Sequence, residues 1–214
     1  MTSVRSDSVE TVFIVDDDEA TRAGVSDLLE SAGLRTQQYS SAEEFLEIWN
    51  PEIAGCLVLD VRLPGMSGME LQGHLAESGI ALPLIIMTAH GDMPMVRKAL
   101  KAGAVEFLIK PFQDAELLEA VEQAFALDRS RRRDGELLHS IQARAGTLTE
   151  RERQVMGMVT AGLTNKEIAE KIFLSVVTVK LHRSQVMRKM QAESLADLVK
   201  MSEWFNKSRG SAGG

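Results

Sequence analysis

The sequence predicts two folds in one chain: an α/β domain with a doubly wound parallel sheet, followed by an all-α domain of four helices. In the first part, short apolar segments alternate with amphipathic stretches, whereas the last part contains only helical patterns. The charge also changes sign. Residues 1–128 contain 8 Lys+Arg and 22 Asp+Glu, and residues 129–214 contain 16 and 9, so the net charge of −7 combines −14 with +7. This asymmetry indicates two domains with different partners.

Five segments of the first part have the composition of strands. Four of them are short apolar runs rich in β-branched residues, which suit strands buried on both faces of a parallel sheet, and the segment at Arg35–Tyr39 is a weaker example. We predict strands at Thr11–Val15, Arg35–Tyr39, Cys56–Leu59, Leu84–Thr88 and Val105–Ile109. Because strands that alternate with helices form right-handed βαβ units, the prediction is a (βα)5 sheet with helices on both faces.

The helices between these strands are marked by residues at their ends. The first stops at Gly33, a residue favoured just past a helix, and Ser41 with Glu44 has the spacing of a capping box that opens the second. Further helices are expected near Gly68–Glu77, near Met93–Ala102 and from about Asp114.

The remaining chain divides into a linker, a helical domain and a tail. With a first domain at 9–128, we predict a partly helical linker at 129–146, weakened at Gly135, in which Arg131–Arg133 is a solvated face. Capping boxes at Thr149/Glu152 and Thr164/Glu167, with caps at Ser175 and Ser194, predict four helices within 147–206. The Ser- and Gly-rich segment 207–214 is expected to be a disordered tail.

The composition excludes several classes of protein. A hydrophobic fraction of 44% is ordinary for a folded chain, and the one cysteine, Cys56, excludes a disulfide framework and a Cys-rich zinc site. No apolar run approaches the ~18 residues of a membrane span, and the first residues do not resemble a secretory signal. We therefore expect a cytoplasmic protein with no membrane association.

Polar residues collect where the predicted strands end. Ligands of open parallel sheets bind outside the carboxyl ends of the strands. The residues at these ends are Asp16, Asp17, Asp18, Asp60, Thr88, Ala89 and Lys110. Carboxylates this close repel one another unless a cation joins them, and Mg²⁺ with its preference for oxygen ligands is suited to that role. With a lysine beside it, such a site can accept a phosphoryl group on an aspartate. Asp18 is the exception, since it has the position of a helix cap.

Five motifs at these positions carry a resemblance to a known family. They are Phe13-Ile14-Val15-Asp16-Asp17, Leu57-Val58-Leu59-Asp60, Leu63-Pro64-Gly65-Met66-Ser67-Gly68, Met87-Thr88-Ala89 and Lys110-Pro111-Phe112. Through them, residues 9–128 resemble the receiver domain of two-component response regulators.

The resemblance implies a role for each of these residues. It implies that Asp60 is phosphorylated by a sensor histidine kinase. It implies a Mg²⁺ site formed by Asp16, Asp17, Asp60 and the backbone carbonyl of Arg62. It also implies phosphoryl-binding and switch roles for Thr88, Ala89, Phe107 and Lys110. Ala89 is small and leaves the approach open, and Phe107 occupies a switch position that is often Tyr, so rotamer switching there must depend on packing.

An enzyme of another class is the alternative. Haloacid-dehalogenase-type phosphatases also use an aspartate after the first strand, and Asp16-Asp17-Asp18 contains their Asp-x-Asp core. That family has Thr or Val two residues after the second aspartate, where this chain has Ala20. Its phosphoacceptor would be Asp16 rather than Asp60.

The third helix of the last domain carries the positive charge. The segment Ser175–Met190 contains five basic or histidine side chains and no acid. A short helix and a tight turn precede it, which is the pattern of a helix-turn-helix whose second helix enters the major groove of double-stranded DNA. Basic side chains on such a helix release counterions from the DNA phosphates.

Three further motifs carry a second resemblance. They are Leu148-Thr149-Glu150-Arg151-Glu152, the segment Gly162–Ala169 and Thr178-Val179-Lys180-Leu181-His182. Through them, residues 147–206 resemble the LuxR-type DNA-binding domain of the FixJ/NarL response regulators. The resemblance implies DNA contacts from Thr164, Lys166, Val176, Thr178, Lys180, Leu181, Arg183, Ser184, Arg188 and Lys189. Lys180, Leu181 and Ser184 would contact base edges, and Arg183, Arg188 and Lys189 would contact phosphates.

Together the patterns lead to one hypothesis. The chain is expected to be a bacterial transcription regulator whose phosphorylation at Asp60 moves Thr88 and Phe107 and alters the surface of the fourth helix, fifth strand and fifth helix. That surface would pair two chains or release the DNA-binding domain, and the homodimer would engage two half-sites on DNA, with RNA polymerase as a further partner. Apart from accepting and slowly hydrolysing its own phosphoryl group, the protein is not expected to be an enzyme. A DNA-binding protein that works without phosphorylation is the alternative.

Overall fold

The structure is a computed structural model that describes the backbone of residues 10–210 and the side chains of residues 10–204. The chain divides into two compact units, Met1–Arg132 and Arg133–Gly214. Within the described residues, no helix is both long and apolar enough to span a membrane.

The first unit is built on a five-stranded parallel sheet. Its strands are β1 (Thr11–Val15), β2 (Arg35–Tyr39), β3 (Gly55–Asp60), β4 (Leu84–Thr88) and β5 (Glu106–Ile109). They lie in the order β2-β1-β3-β4-β5, and every neighbouring pair is parallel. Strands β1, β3 and β4 are buried along their whole length. The predicted doubly wound parallel sheet is therefore confirmed.

Helices cover both faces of this sheet. They are α1 (Glu19–Ser31), α2 (Ala42–Ile48), α3 (Gly68–Glu77), α4 (Met93–Lys101) and α5 (Asp114–Gly146). Successive strand residues face opposite sides. Phe13 packs in a core with side chains of α2, α3 and α4, whereas Ile14 packs in a second core with α1 and α5. The two cores hold the carboxyl ends of the strands in fixed positions.

The local signals that start the helices are mostly confirmed. Asp18 caps α1 and accepts a hydrogen bond from the backbone N–H of Thr21 at 2.7 Å. The expected capping box of α2 is only half formed. Ser41 accepts from the Glu44 N–H, but the Glu44 carboxylate accepts from the N–H of Ser40 at 2.6 Å instead of Ser41. The reason is that the Ser40 hydroxyl bonds the same carboxylate oxygen.

The predicted linker is helical throughout. Helix α5 continues to Gly146, and Gly135 does not interrupt it. Of the three linker arginines predicted to be solvated, Arg131 and Arg133 are exposed, whereas Arg132 is partly buried. Arg131 donates to the carbonyl of Ala81 at 3.0 Å, and Arg132 donates to the carbonyl of Ile53 at 2.9 Å.

Arg132 also pairs with a buried carboxylate. Its Nε lies 2.7 Å from Asp128, whose side chain is 5% exposed. The same Asp128 oxygen accepts the backbone N–H of Gly55 at 2.9 Å. Asp128 thus connects the first residue of β3 to α5, and Arg132 neutralises its charge.

The second unit contains the last turns of α5 and four further helices, α6 (Glu150–Thr160), α7 (Asn165–Ile172), α8 (Val176–Met190) and α9 (Leu195–Gly210). The capping boxes at Thr149 and Thr164 are both formed. The helices enclose a core that includes Val155, Ile168, Val179, Val186 and Leu198. Helix α9 extends through Gly210 into the segment predicted as a disordered tail, and the rest of that tail, 211–214, lies outside the described residues.

Candidate functional site

The topology brings four polar side chains to one edge of the first unit. Strands β1, β3, β4 and β5 are consecutive neighbours, so Asp16, Asp60, Thr88 and Lys110 end at the same edge of the sheet. Asp16 and Thr88 are almost fully buried, and Asp60 is 7% exposed. Because buried polar groups need partners, the bonds among these side chains define the site.

Lys110 joins the two buried carboxylates. Its Nζ lies 2.7 Å from Asp16 Oδ2 and 2.9 Å from Asp60 Oδ1. The other oxygen of each carboxylate accepts a backbone N–H. Asp18 donates to Asp16 Oδ1 at 2.9 Å, and Arg62 donates to Asp60 Oδ2 at 2.5 Å. All four carboxylate oxygens therefore have a donor, which fixes both side chains.

The electrostatics of this cluster follow from burial and from the ion pairs. Burial raises the pKa of Asp16, and the hydrogen bond from Lys110 opposes that rise. Burial alone would lower the pKa of Lys110, but its hydrogen bonds to Asp16 and Asp60 raise that pKa above its ordinary value. The lysine consequently remains a cation at neutral pH, next to the carboxylate expected to receive a phosphoryl group.

The expected magnesium ligands are only partly gathered. Asp16 and Asp60 share one cation, whereas Asp17 is exposed at the start of the following loop. Among the residues that the structure describes, no three His, Cys, Asp or Glu side chains form a group that could hold a metal. The implied donors nonetheless fit a hard divalent cation, since carboxylate and carbonyl oxygens are the ligands that such a cation prefers.

The expected switch residues lie beside this cluster. The Thr88 hydroxyl accepts the backbone N–H of His90 at 3.3 Å, and Ala89 is exposed, as an open approach requires. Phe107 is 8% exposed, so its ring lies in the core of the first unit. The structure thus holds Phe107 in a buried position while Thr88 is bonded to the loop that follows β4.

Two glycines near the site were missed by the sequence analysis. A Cβ on Gly68 would lie 2.1 Å from the carbonyl oxygen of Asp60, and one on Gly91 would lie 2.8 Å from the Phe107 ring. Contacts this short exclude a larger side chain without local movement. Gly68 therefore allows α3 to begin against the backbone of Asp60, and Gly91 allows the loop after β4 to pack on Phe107.

The second unit presents an exposed face on α8. One side of this helix is buried, with Val179, Val186 and Met190 in the core. The residues exposed on it include Val176, Val177, Lys180, Leu181, Ser184 and Arg188. From Val177 to Arg188 their spacing of three and four residues places them along one face. Four predicted DNA contacts of α8, Lys180, Leu181, Ser184 and Arg188, share this face.

Other predicted DNA-contact residues have partners within the protein. The Thr164 hydroxyl bonds the Glu167 carboxylate at 2.7 Å, and the Thr178 hydroxyl lies 2.8 Å from that of Ser175. Arg183 donates to Asn165 Oδ1 at 3.2 Å. Lys166, in contrast, is exposed in the first turn of α7. The Lys166 side chain can therefore reach a ligand directly. Thr164, Thr178 and Arg183 can contact DNA only in addition to their internal hydrogen bonds or in place of them.

Lys189 also has partners within the protein. The sequence analysis placed it among the phosphate contacts, but its Nζ lies 2.7 Å from Glu152 and 3.1 Å from the carbonyl of Thr147. Glu152 is 5% exposed, and the Lys189 hydrogen bond lowers the pKa of Glu152 from 4.5 to about 2. Lys189 therefore supports the fold, because without it the buried Glu152 carboxylate would have no counter-charge.

The comparisons with known proteins agree with the structures of both units. Residues 12–122 match the family described as response regulator receiver domain, and residues 146–202 match the family described as bacterial regulatory proteins, luxR family. The chain is 47% identical over 192 residues to nodulation protein W of Bradyrhizobium diazoefficiens, covering 90% of this chain and 85% of that protein. It is 45% identical over 192 residues to the transcriptional regulatory protein FixJ of Rhizobium meliloti, covering 90% and 94%.

Solved structures give the same result. The response regulator StyR superposes with a TM-score of 0.81 at 46% identity, covering 91% of this chain and 98% of that one. Full-length FixJ from B. japonicum superposes with a TM-score of 0.55 at 39% identity, covering 92% and 98%. Since both halves match regulator families, the alternative of a haloacid-dehalogenase-type phosphatase is rejected.

Proposed function

Because this chain belongs to the transcriptional response regulators that join a receiver domain to a LuxR-type DNA-binding domain, we propose that transfer of a phosphoryl group to Asp60 activates it. The observation that carries the proposal is the bonding of Lys110 to Asp16 and Asp60 at the carboxyl edge of the sheet. Of these two carboxylates, Asp60 is the more exposed, which favours it as the acceptor.

The transfer is a displacement at phosphorus. A phosphohistidine of a sensor histidine kinase is the proposed donor, and an oxygen of Asp60 attacks its phosphorus. The new O–P bond forms as the P–N bond breaks, and the imidazole nitrogen leaves with the electron pair. Lys110 lies within hydrogen-bond reach of Asp60 and stabilises negative charge on the transferred group.

A divalent ion belongs to the proposed site. Asp16, Asp17, Asp60 and the backbone carbonyl of Arg62 would hold Mg²⁺, which when bound supplies positive charge opposite the phosphoryl oxygens. Thr88 and Lys110 are the proposed protein contacts to those oxygens, and Ala89 leaves room for them. Chemistry at the site ends with water slowly hydrolysing the aspartyl phosphate back to Asp60 and inorganic phosphate.

Phosphorylation is proposed to act through the surface of α4, β5 and α5. Thr88 exchanges its bond with His90 for one with the phosphoryl group, and Phe107 repacks in response. This surface exposes apolar side chains that a partner can cover: Met93 is 66%, Leu100 is 42% and Ile109 is 48% exposed. We infer that it pairs two chains as a homodimer.

The proposed output is regulated transcription in the cytoplasm. The exposed face of α8 enters the major groove of double-stranded DNA, with Lys180, Leu181 and Ser184 towards base edges and Arg188 towards a phosphate. Lys166 contacts the DNA backbone, and RNA polymerase is the proposed further partner. The remaining proposed contacts are Thr164, Val176, Thr178 and Arg183.

The acceptor is tested by labelling with radioactive acetyl phosphate in the presence of Mg²⁺. Asp60→Asn is expected to abolish acid-stable, alkali-labile label, whereas Asp16→Asn keeps a reduced amount. Asp27→Asn, an exposed carboxylate of α1, serves as the control and labels normally. Label that persists in Asp60→Asn refutes the assignment.

The output is tested by sedimentation and DNA binding with and without acetyl phosphate. Phosphorylation is expected to increase both the dimer fraction and the affinity for a selected duplex. If neither changes, the proposal that phosphorylation controls the protein fails.

A further inference from the structure

The second unit exposes a group of large apolar side chains in the turn before α8 and in the first two turns of that helix. Phe173 is 93% exposed, Val177 is 76% exposed and Leu181 is 58% exposed, with Val176 beside them at 39%. We call these four residues the apolar patch. None of them belongs to the core of the unit. Since burial would stabilise such side chains, their exposure indicates a partner that covers them.

The charges around the apolar patch identify the kind of partner. Lys180 is exposed next to Leu181, and Arg188 continues the same face towards the end of α8. The segment from Ser175 to Met190 contains no acidic residue. A purely apolar groove of another protein would leave these cations without compensation, whereas a polyanion pairs with them. The combination therefore favours duplex DNA, in agreement with the function proposed above.

The chemistry of the major groove then limits what the apolar patch can contact. Each base edge there offers hydrogen-bond donors and acceptors, and only thymine adds an apolar group, its C5-methyl. The first residues of a recognition helix are the ones that approach base edges. Val177 is the second residue of α8, and Phe173 lies in the turn just before it.

We propose that Phe173 and Val177 are specificity-determining residues that select thymine by packing on its methyl group, beside Leu181. The proposal depends on the DNA-binding function and adds to it a rule for base choice. It also explains why a polar base reader is unnecessary at these positions: an aliphatic or aromatic side chain distinguishes thymine from cytosine by burying the methyl group.

The test removes the methyl group alone. Duplexes bound by the phosphorylated full-length protein are first selected from a random DNA pool, and each thymine of the consensus is then replaced singly by uracil. We expect a loss of about fourfold in affinity at each thymine whose methyl is buried, the value for one buried methylene-sized group. Substitutions at thymines outside the contact leave the affinity unchanged.

Variants assign the effect to residues. In Val177→Ala, one of the sensitive positions is expected to bind thymine and uracil equally, and Phe173→Ala is expected to do the same at another. Alanine favours the helix at position 177, so folding is preserved there. The control is Leu195→Ala, an exposed leucine of α9 that is 41% exposed, and it keeps the thymine preference of the unchanged protein.

The outcomes separate this inference from the proposed function. If the protein selects no duplex, both fail. If it binds a consensus without thymine, or binds uracil and thymine equally everywhere, the inference fails while DNA binding stands. The assignment to Phe173 and Val177 also fails if both alanine variants retain every thymine preference, since the apolar patch then serves a partner other than DNA.

Discussion

The two candidate sites of the molecule differ in how their polar groups are held. In the first unit, Lys110 bonds the buried carboxylates of both Asp16 and Asp60. In the second unit, Lys180 and Leu181 face solvent from one side of a helix. A site that performs chemistry needs fixed charges, whereas a surface that binds a long polyanion needs accessible ones. The cations of the molecule differ in the same way. Some, such as Lys110 and Lys180, are placed to act on a ligand, whereas others, such as Arg132, support the fold.

The largest effect is expected for Lys110→Ala. Removing the ammonium takes away the charge opposite the transferred group, so labelling by acetyl phosphate should fall by about 10²-fold. The exposed Lys101→Ala on α4 is the matched control and should label at the normal rate. DNA binding by the unphosphorylated protein should be unchanged in both variants. Normal labelling of Lys110→Ala would show that the ion pairs are structural only.

The next effect concerns stability in the first unit. Arg132→Ala leaves the buried Asp128 carboxylate without its counter-charge and removes donors from backbone carbonyls, so the free energy of unfolding should fall by about 1–3 kcal/mol. The neighbouring Arg133→Ala, at an exposed position, should change it by less than about 0.5 kcal/mol. Urea unfolding of the full chain measures both. Equal effects of the two substitutions would contradict the structural role of Arg132.

A third prediction divides two adjacent cations of α8. Arg188→Ala should weaken binding to all duplexes and lower the slope of log affinity against log salt by about 1, with little change in stability. Lys189→Ala should leave that slope unchanged and lower the free energy of unfolding by about 1 kcal/mol, because Glu152 loses its partner. The reverse pattern would restore Lys189 as a phosphate contact.

The last prediction is a pH dependence in the second unit. The Lys189 hydrogen bond holds the pKa of Glu152 at about 2, compared with 4.5 for the ordinary side chain. A lowered pKa in the folded state adds stability above pH ~4.5 that is lost as the pH falls towards ~2. Thermal unfolding across this range should therefore show a smaller decline for Glu152→Gln than for the unchanged protein. The exposed Glu170→Gln should keep the full decline.

The sequence was sufficient for the elements that depend on local patterns. Strands β1 and β4 lie where their apolar runs predict them, β2 lies at the weaker segment Arg35–Tyr39, and the capping boxes at Thr149 and Thr164 are formed. Motif spacing also placed Asp16, Asp60 and Lys110 together, because parallel strands bring their carboxyl ends to one edge. The local patterns act within a few residues of the chain, and the motif spacing needs only the rule that parallel strands end at one edge of the sheet.

Tertiary partners could not be predicted in the same way. Arg132 looked solvated because its partners, Ile53 and the buried Asp128, become neighbours only in the folded sheet. Lys189 looked like its neighbour Arg188 because the sequence does not show which side of α8 meets Glu152. Gly68 was passed over, since only the fold shows the Asp60 carbonyl where a Cβ would be.

The backbone conformation of Phe173 sets stability against DNA recognition at this position. Its backbone is left-handed, with φ of 55°, a conformation that disfavours a side chain with a Cβ by roughly 1 kcal/mol compared with glycine. Since the ring is almost fully exposed, it returns little of that energy through packing. Phe173→Gly should therefore increase the stability of the protein and weaken its preference for thymine in the bound DNA. Selection for stability and selection for the regulated genes act in opposite directions at this one position.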